Sequence, residues 1–491
     1  MRISRVRWAA LTVALTLTAC GGGGGGNSSS SIGPPTPDAP VWSQRIEPYD
    51  SGKAASAAKA ATQPPSALAA YADTGSVALG PLPESLAKAI VGASVAPGMP
   101  RQIGQARRVS DTASVAATAA LLRWRPGPGG TQLAALRFES PDAHGVRLGV
   151  RVQALPPGAV LRFYGAARDE AVEVGAQELQ AVAERNALSG ADEALARTYW
   201  SPDFGGPQTT LEVQIPAGAA PAAVQLAVPG LSHFTLSPAE AEAAFTAKAG
   251  SCPVDVSCNA DYLEQSRSVA RMNYVDSGAG FFCTGTLLND AASSGTPYFL
   301  SANHCISSQA VASTLVTDWF YRTASCGGAS VNPGVQRLTG GATLLYASAT
   351  TDTSFMRLNR AAPAGIVYAG SYYGGVPVGA ALATVQHPEG DPQTLSLGTL
   401  QRYGNCVGDN CGSSDPERGG FLVVNWQQGS TAPGSSGAAA FVTIGARRYV
   451  AGQLFGGTAS CTVPSGVDYF GRFDLSYRAG LQRWLNPGSA N

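Results

Sequence analysis

Eight of the nine cysteines lie in the second half of the chain: Cys252, Cys258, Cys283, Cys305, Cys326, Cys406, Cys411 and Cys461. The ninth, Cys20, stands alone near the N-terminus. An even set confined to one segment restricts that segment to folds that accept several cross-links in an oxidising compartment. Four disulfides are the expectation, and spacing alone leaves about 105 pairings open. Zinc is the competing expectation, but it favours cysteine pairs separated by about two to four residues with His partners. The closest pairs here, Cys252/Cys258 and Cys406/Cys411, are spaced more widely. No metal or other cofactor is expected.

The N-terminus agrees with such a compartment. Arg2, Arg5 and Arg7 precede an apolar run from Trp8 to Ala19, the layout of a signal peptide. Leu17-Thr18-Ala19-Cys20 resembles the bacterial lipobox, in which the cysteine is lipidated after cleavage. Residues 1–20 are read as a lipoprotein-type signal with Cys20 as the anchor; an ordinary secretory signal is the alternative. Glycines 21–26 and the Ser/Pro-rich stretch to Pro40 lack the apolar area that offsets ordering entropy, so residues 21–45 are read as a tether. No later segment is long and apolar enough for a membrane-spanning helix. The expected location is the cell envelope, or outside it after processing.

A chain of 491 residues exceeds one ordinary domain. Its formal net charge is zero, so nothing points to nucleic acid. Val146-Arg147-Leu148-Gly149-Val150-Arg151-Val152-Gln153 alternates apolar and polar residues, as a half-buried strand does. Leu211-Glu212-Val213-Gln214-Ile215 repeats the pattern, and Val224, Leu226 and Val228 continue it. Residues 176–198 read as helix. A sandwich-like domain is therefore expected from about residue 115 to Pro238. His144 and His233 have no ligand or carboxylate at useful spacing and are read as structural. Beyond Gly250 the texture changes to turns and cysteines, which sets the boundary: residues 46–248 before it, 249–491 after it.

The second segment holds a set of residues suited to nucleophilic chemistry. Ser436 lies in Ala432-Pro433-Gly434-Ser435-Ser436-Gly437-Ala438, a turn-forming stretch. A serine hydroxyl is a weak nucleophile at neutral pH and needs a base within hydrogen-bond reach. His304 follows the apolar run Phe299-Leu300-Ser301-Ala302 and precedes Cys305. An imidazole is neutral and basic near pH 7. His387 precedes Pro388 in a turn-like stretch without such support. Asp318, Asp352, Asp391, Asp409 and Asp415 all lie between His304 and Ser436, and residue physics alone does not choose among them. Asp352 leads into the apolar Phe355-Met356-Arg357-Leu358, as an orienting carboxylate at a buried strand would. The order His, Asp, Ser suggests a serine protease. Gly434 can turn its amide inward, because it lacks a Cβ, and the Gly434 and Ser436 amides would form the oxyanion hole.

Several motifs in one order carry a resemblance. Ser251-Cys252 through Cys258, Cys283-Thr284-Gly285-Thr286-Leu287, Tyr298 through His304-Cys305, Thr351-Asp352 through Leu358-Asn359, Pro433 to Gly437, Gly452-Gln453-Leu454 and Asp468-Tyr469-Phe470-Gly471-Arg472 resemble the bacterial lysyl endopeptidases, a branch of the trypsin-like serine proteases. The resemblance runs from Cys252 to about Trp484. It implies an all-β, chymotrypsin-like fold of two six-stranded antiparallel β-barrels, here preceded by a β-rich pro-region. It also implies Asp352 as the carboxylate beside His304, Asp468 at the base of the specificity pocket, and Leu454, Phe455 and Gly456 flanking the substrate backbone. The implied bridges are Cys252–Cys461, Cys258–Cys326 and Cys283–Cys305. Cys406 and Cys411 remain, close enough to bridge each other. One departure is Phe455, where the compared family member has a His stacked on a Trp; Tyr403 is the candidate for that Trp's place.

The reading is a monomeric serine endopeptidase acting on protein or peptide substrates, with a lipid at Cys20 as its sole membrane link. Lys53, Lys59, Lys88 and Lys248 are the four lysines, and none follows residue 248, whereas thirteen arginines do. The family matures by cutting after a lysine at this place, so Lys248 is the expected processing site. The rivals are a trypsin-like enzyme accepting Lys and Arg, and a catalytically silent surface protein whose sandwich binds a ligand.

Overall fold

The computed structural model describes residues 43–53, 74–86, 99–166, 171–236, 252–408 and 410–489. Cys20 and Lys248 lie outside the described residues. Where apolar residues alternate, strands form. Val146 to Gln153 fall within the strand Gly145–Ala154, and Leu211 to Ile215 end the strand Gln208–Ile215. The helical stretch divides into Ala176–Leu188 and Glu193–Ala196. Gly190, with φ of 90°, breaks it, and the Asp192 carboxylate then caps the second piece by accepting the Leu195 N–H at 2.8 Å.

These strands build two facing sheets. One has the order Val172–Gly175, Val160–Tyr164, Gln208–Ile215, Gln132–Glu139, Gly75–Ala78, with Arg125–Pro126 on Gln132–Glu139. The other has the order Thr198–Trp200, Gly145–Ala154, Gln225–Phe234, Gly104–Arg108. Leu136, Phe138, Leu161 and Phe163 from the first meet Val146, Leu148, Val150 and Leu231 from the second in one apolar core. The sandwich thus begins before residue 115. Gly75–Ala78 and Gly104–Arg108 carry too few apolar residues to announce themselves, and neighbouring strands supply their burial.

The cysteine-bearing segment forms two further strand bodies. In the second, Ala381–Gln386, Thr394–Val407, Phe421–Gln428, Val467–Arg472, Arg447–Gly457 and Ala439–Ile444 pair in that order and close on Ala381–Gln386, a six-stranded antiparallel barrel. Leu382, Leu400, Leu422, Val424, Leu454 and Phe470 belong to its apolar cluster. In the first, the order is Val316–Trp319, Val269–Asp276, Ala279–Leu288, Tyr298–Ala302, Thr353–Leu358, Ala342–Ser348. Its two ends are drawn together by the Gly341 N–H donating to the Leu315 carbonyl at 3.2 Å. Gln309 reinforces that seam: its amide donates to the Ala342 carbonyl and accepts from the Leu344 N–H, both at 2.9 Å.

The sandwich is docked on the first barrel through buried polar groups. Arg147, 1% exposed, donates to the carbonyls of Ser201 at 2.6 Å and Thr314 at 2.5 Å, and to the Asn273 side chain at 3.2 Å. Arg337 pairs with Asp203 at 3.2 Å and with Asp318 at 2.7 Å. Residues further upstream reach the second barrel. Arg45–Ile46 pair with Tyr372 and Ser371, while Tyr49–Asp50 pair with Tyr368 and Val367 in a separate two-stranded sheet. Arg45, at the end of the expected tether, is therefore already strand.

Candidate active site

Two loop ends and one turn meet where the barrels face each other. The turn around Ser436 needs glycine at two places: φ is 93° at Gly434 and 82° at Gly437, conformations that L side chains rarely adopt. Thr284 staples it to the first barrel. Its N–H donates to the Ser436 carbonyl at 2.9 Å, and its hydroxyl donates to the Gly434 carbonyl at 2.9 Å. The same strand carries Cys283, bridged to Cys305, and Cys305 Sγ is 3.9 Å from the Ser436 carbonyl oxygen. The residue after His304 and the Ser436 backbone are thus side by side.

Asp352 holds His304 at two points. Its Oδ2 is 2.8 Å from His304 Nδ1, and its Oδ1 accepts the His304 backbone N–H at 2.9 Å. Asp352 itself sits at φ 48° just before the strand Thr353–Leu358, a left-handed conformation that is uncommon for Asp and is found where surroundings enforce it. The surroundings do so here: the Asp352 carbonyl accepts the Asn303 N–H at 3.0 Å and the Gln453 side-chain amide at 3.2 Å. His304 Nε2 is buried and makes no hydrogen bond in this conformation.

The other aspartates have other work. Asp318 is 2% exposed and ion-paired with Arg271 at 2.8 Å and Arg337 at 2.7 Å; despite burial, these two guanidinium groups hold its carboxyl well below the usual carboxylate range. Asp391 offers its carbonyl to His387 Nδ1 at 2.9 Å. The Asp415 carbonyl accepts the Gly419 N–H at 2.7 Å. Asp409 lies outside the described residues. His387 is fully buried, and burial pushes its imidazole down to about 3, so it stays neutral inside the barrel. His233 is likewise buried, with Nδ1 2.8 Å from Ser140 Oγ.

Asp468, on the strand Val467–Arg472, is 0% exposed. Its Oδ2 accepts from Trp426 Nε1 at 2.6 Å and from the Thr431 hydroxyl at 2.7 Å. Its Oδ1 makes no hydrogen bond. Burial raises the carboxyl to about 6, against the opposing pull of Trp426, Thr431 and the Ala459 backbone. Gly457 stands across from it, and a Cβ there would collide with Oδ1. A buried aspartate with one oxygen committed to two side-chain donors suits a compact cation.

Leu454 is buried, and its carbonyl accepts the Gly437 N–H at 2.8 Å, which joins the strand Arg447–Gly457 to the serine turn. Gly456 follows on the same strand with φ 154°. Phe455 stands edge-on to His304, with ring centroids 5.9 Å apart, and its neighbouring ring is Phe421 at 5.4 Å. Tyr403 does not take that place: its hydroxyl donates to the Val376 carbonyl at 2.6 Å, within the barrel's apolar cluster. The four bridges of the structure join Cys252 with Cys461, Cys258 with Cys326, Cys283 with Cys305, and Cys406 with Cys411. Among the described residues no cluster of His, Cys, Asp and Glu is placed to hold a metal ion.

One neighbour of the serine turn has no mark in the sequence. The Gly434 N–H donates to the carbonyl of Met99 at 3.0 Å. Arg101 and Gln102 pair with Phe282 and Phe281 as an added antiparallel strand. Met-Pro-Arg has no pattern that marks it as a cleft occupant. Trp426, Thr431 and Phe421 were equally unmarked, since only the barrel brings them to Asp468 and Phe455.

Comparison with known proteins follows the same division of the chain. Residues 246–471 match the family model "Lysyl endopeptidase, C-terminal domain", and residues 78–235 match "Lysyl endopeptidase N-terminal domain". The chain is 32% identical over 409 residues to a lysyl endopeptidase of Pseudomonas aeruginosa, covering 80% of this chain and 82% of that one. Among solved structures, an HtrA-type protease with a tripeptide is similar at 16% identity and a TM-score of 0.32, over 46% of this chain and 63% of that chain. A thermostable serine protease from an extremophilic microorganism gives 16% identity and a TM-score of 0.30, over 46% of this chain and 99% of that chain.

Proposed function

The chain belongs to the lysyl endopeptidase family of trypsin-like serine proteases, and on that premise we propose that it cleaves peptide bonds after lysine through Ser436, His304 and Asp352 and is made as a self-processing precursor. One observation carries the mechanism: both oxygens of Asp352 are committed to His304. With Nδ1–H donating to the carboxylate, the lone pair of Nε2 is the base. Ser436 Oγ attacks the scissile carbonyl carbon as its proton passes to Nε2. The Gly434 and Ser436 amides face the oxyanion, where losing one donor typically costs about 3 kcal/mol. The imidazolium, stabilised by Asp352, returns its proton to the leaving amine, and water then cleaves the acyl-enzyme by the same route.

Lysine specificity is supported by Asp468. A guanidinium binds best to two coplanar carboxylate oxygens, whereas an ammonium is a compact point charge. Trp426 and Thr431 already occupy Oδ2, so the carboxylate has no free pair of oxygens for a bidentate guanidinium, which favours lysine.

Latency is supported by Met99, whose carbonyl holds the amide that an oxyanion needs. Met99 is 46% exposed and is not a cation, and a proline follows it. Release would follow cleavage after Lys248, with Cys20 as the lipid anchor of the exported precursor. N-terminal sequencing tests the reading. The wild type should begin at Ala249, while Lys248→Arg and Ser436→Ala stay uncut. Maturation of the Ser436→Ala chain at the same bond, without another protease present, would refute it.

A further inference from the structure

The segment that fills the cleft is oriented as a substrate would be, so its side chains report on pockets that a substrate would meet. Met99 offers its carbonyl to Gly434, which marks it as the residue before the reacting bond. Pro100 is then the first residue after that bond, and Arg101 the second. Arg101 pairs with Phe282 and Gln102 with Phe281, and the Ile103 N–H donates to the Gly280 carbonyl at 2.8 Å. A chain that engages the Gly434 amide and adds to this strand edge has one direction and one register.

In that register Arg101 Nε lies 3.0 Å from Glu389 Oε2, as an ion pair rather than a directed hydrogen bond. The two side chains are 16% and 25% exposed, so the pair is partly shielded from water. Glu389 is also held in an uncommon conformation, with φ 58°. Its N–H donates to the Pro433 carbonyl at 2.6 Å, directly before Gly434. The rest of its loop is pinned: Arg271 donates to the Gly390 carbonyl at 2.8 Å, and the His387 N–H donates to Thr284 Oγ1 at 3.1 Å. A strained acidic residue on a fixed loop, tied to the oxyanion turn, is placed to read a substrate rather than to stabilise the fold.

We propose that Glu389 forms a subsite selecting a cationic residue two positions beyond the cleaved bond. This rests on the reading of Ser436 and Gly434 as the reacting centre. A carboxylate at that substrate position would meet Glu389 with like charge, and a neutral residue would leave it solvated.

The test uses internally quenched peptides that differ only in the residue two places after a single lysine: Arg, Gln or Glu. The protein, expressed as the full chain and allowed to mature, is assayed for cleavage at the lysine bond by mass spectrometry. The expected kcat/KM order is Arg, Gln, Glu, with Arg over Glu by about tenfold. In Glu389→Gln the Arg/Glu ratio should fall to near one, and in Glu389→Lys it should invert; each ratio cancels any general loss of activity. A wild-type ratio near one, or the same ratio in Glu389→Gln, overturns the proposal. Should neither variant fold, the wild-type ratio at low and high salt decides: it should shrink with salt, and a salt-independent ratio is again contrary. Failure of the underlying reading looks different, because no peptide would then be cut after lysine by the wild type.

Discussion

The carbonyl oxygen of Met99 lies 3.0 Å from the backbone nitrogen of Gly434, the amide that the proposed mechanism assigns to the substrate oxyanion. Pro100 follows, and its ring, with φ fixed, restricts how the leaving nitrogen can be presented to His304. Replacing Met99 with Lys and Pro100 with Ala together should turn the block into a cleavage site. Gel analysis and N-terminal sequencing should show a new end at residue 100, absent when Ser436 is also Ala. An intact 99–100 bond in the active double variant would contradict substrate-like docking.

Asp352 and Asp318 should fail in different ways when changed to Asn. Asp352→Asn leaves the fold in place but favours the wrong imidazole tautomer, so kcat should fall by about 10³–10⁴ with little change in Tm. Asp318→Asn leaves Arg271 and Arg337 buried against a neutral amide, and breaking such a pair costs about 3–5 kcal/mol. Its signature is a lower Tm. Kinetics and thermal melts on both variants separate the roles.

Asp468 gives a pH dependence whose sign is fixed. Burial raises its folded value to about 6, above the usual aspartate value of about 3.9. The folded state therefore holds a proton that the unfolded state has lost, and stability drops as pH rises between those values. Against Asp468→Asn, the wild type should lose about 2 kcal/mol of relative stability from pH 4 to pH 7, read by urea melts of the Ser436→Ala precursor. The same substitution should abolish the preference for lysine. A pH-independent difference would place Asp468 in a solvated, unperturbed setting.

Arg147 joins the sandwich to the first barrel. Arg147→Met would leave the Ser201 and Thr314 carbonyls unpaired in the interface, each at a cost of about 1–3 kcal/mol. The Ser436→Ala precursor carrying it should melt earlier and yield less folded protein. An unchanged melt would mean that the sandwich and barrel do not support one another.

The chain shows its chemistry where the relevant residues are close in sequence. His304 with Cys305, and Gly434 to Gly437, carry their meaning locally. Asp352 did not, because five aspartates lay in the permitted order and only strand pairing between Tyr298–Ala302 and Thr353–Leu358 brings it to His304. The resemblance chose it where residue physics could not. Tyr403 shows how a register decides a face. It pairs with Leu422, and both belong to the barrel's interior cluster. Phe421, one residue earlier, belongs with Phe455 to the cluster on the other side. Met99 and Glu389 were silent for a different reason: each is ordinary alone, and their meaning arises from a strand added across domains.

Cleavage after lysine by Ser436 is the proposed activity. Its most direct test is to digest a denatured protein rich in lysine and arginine with the wild-type chain and map every new terminus by mass spectrometry. Cuts after lysine, arginine bonds left whole, and no cuts with Ser436→Ala are expected. Cuts after arginine at comparable rates, or any persisting with Ser436→Ala, would contradict it.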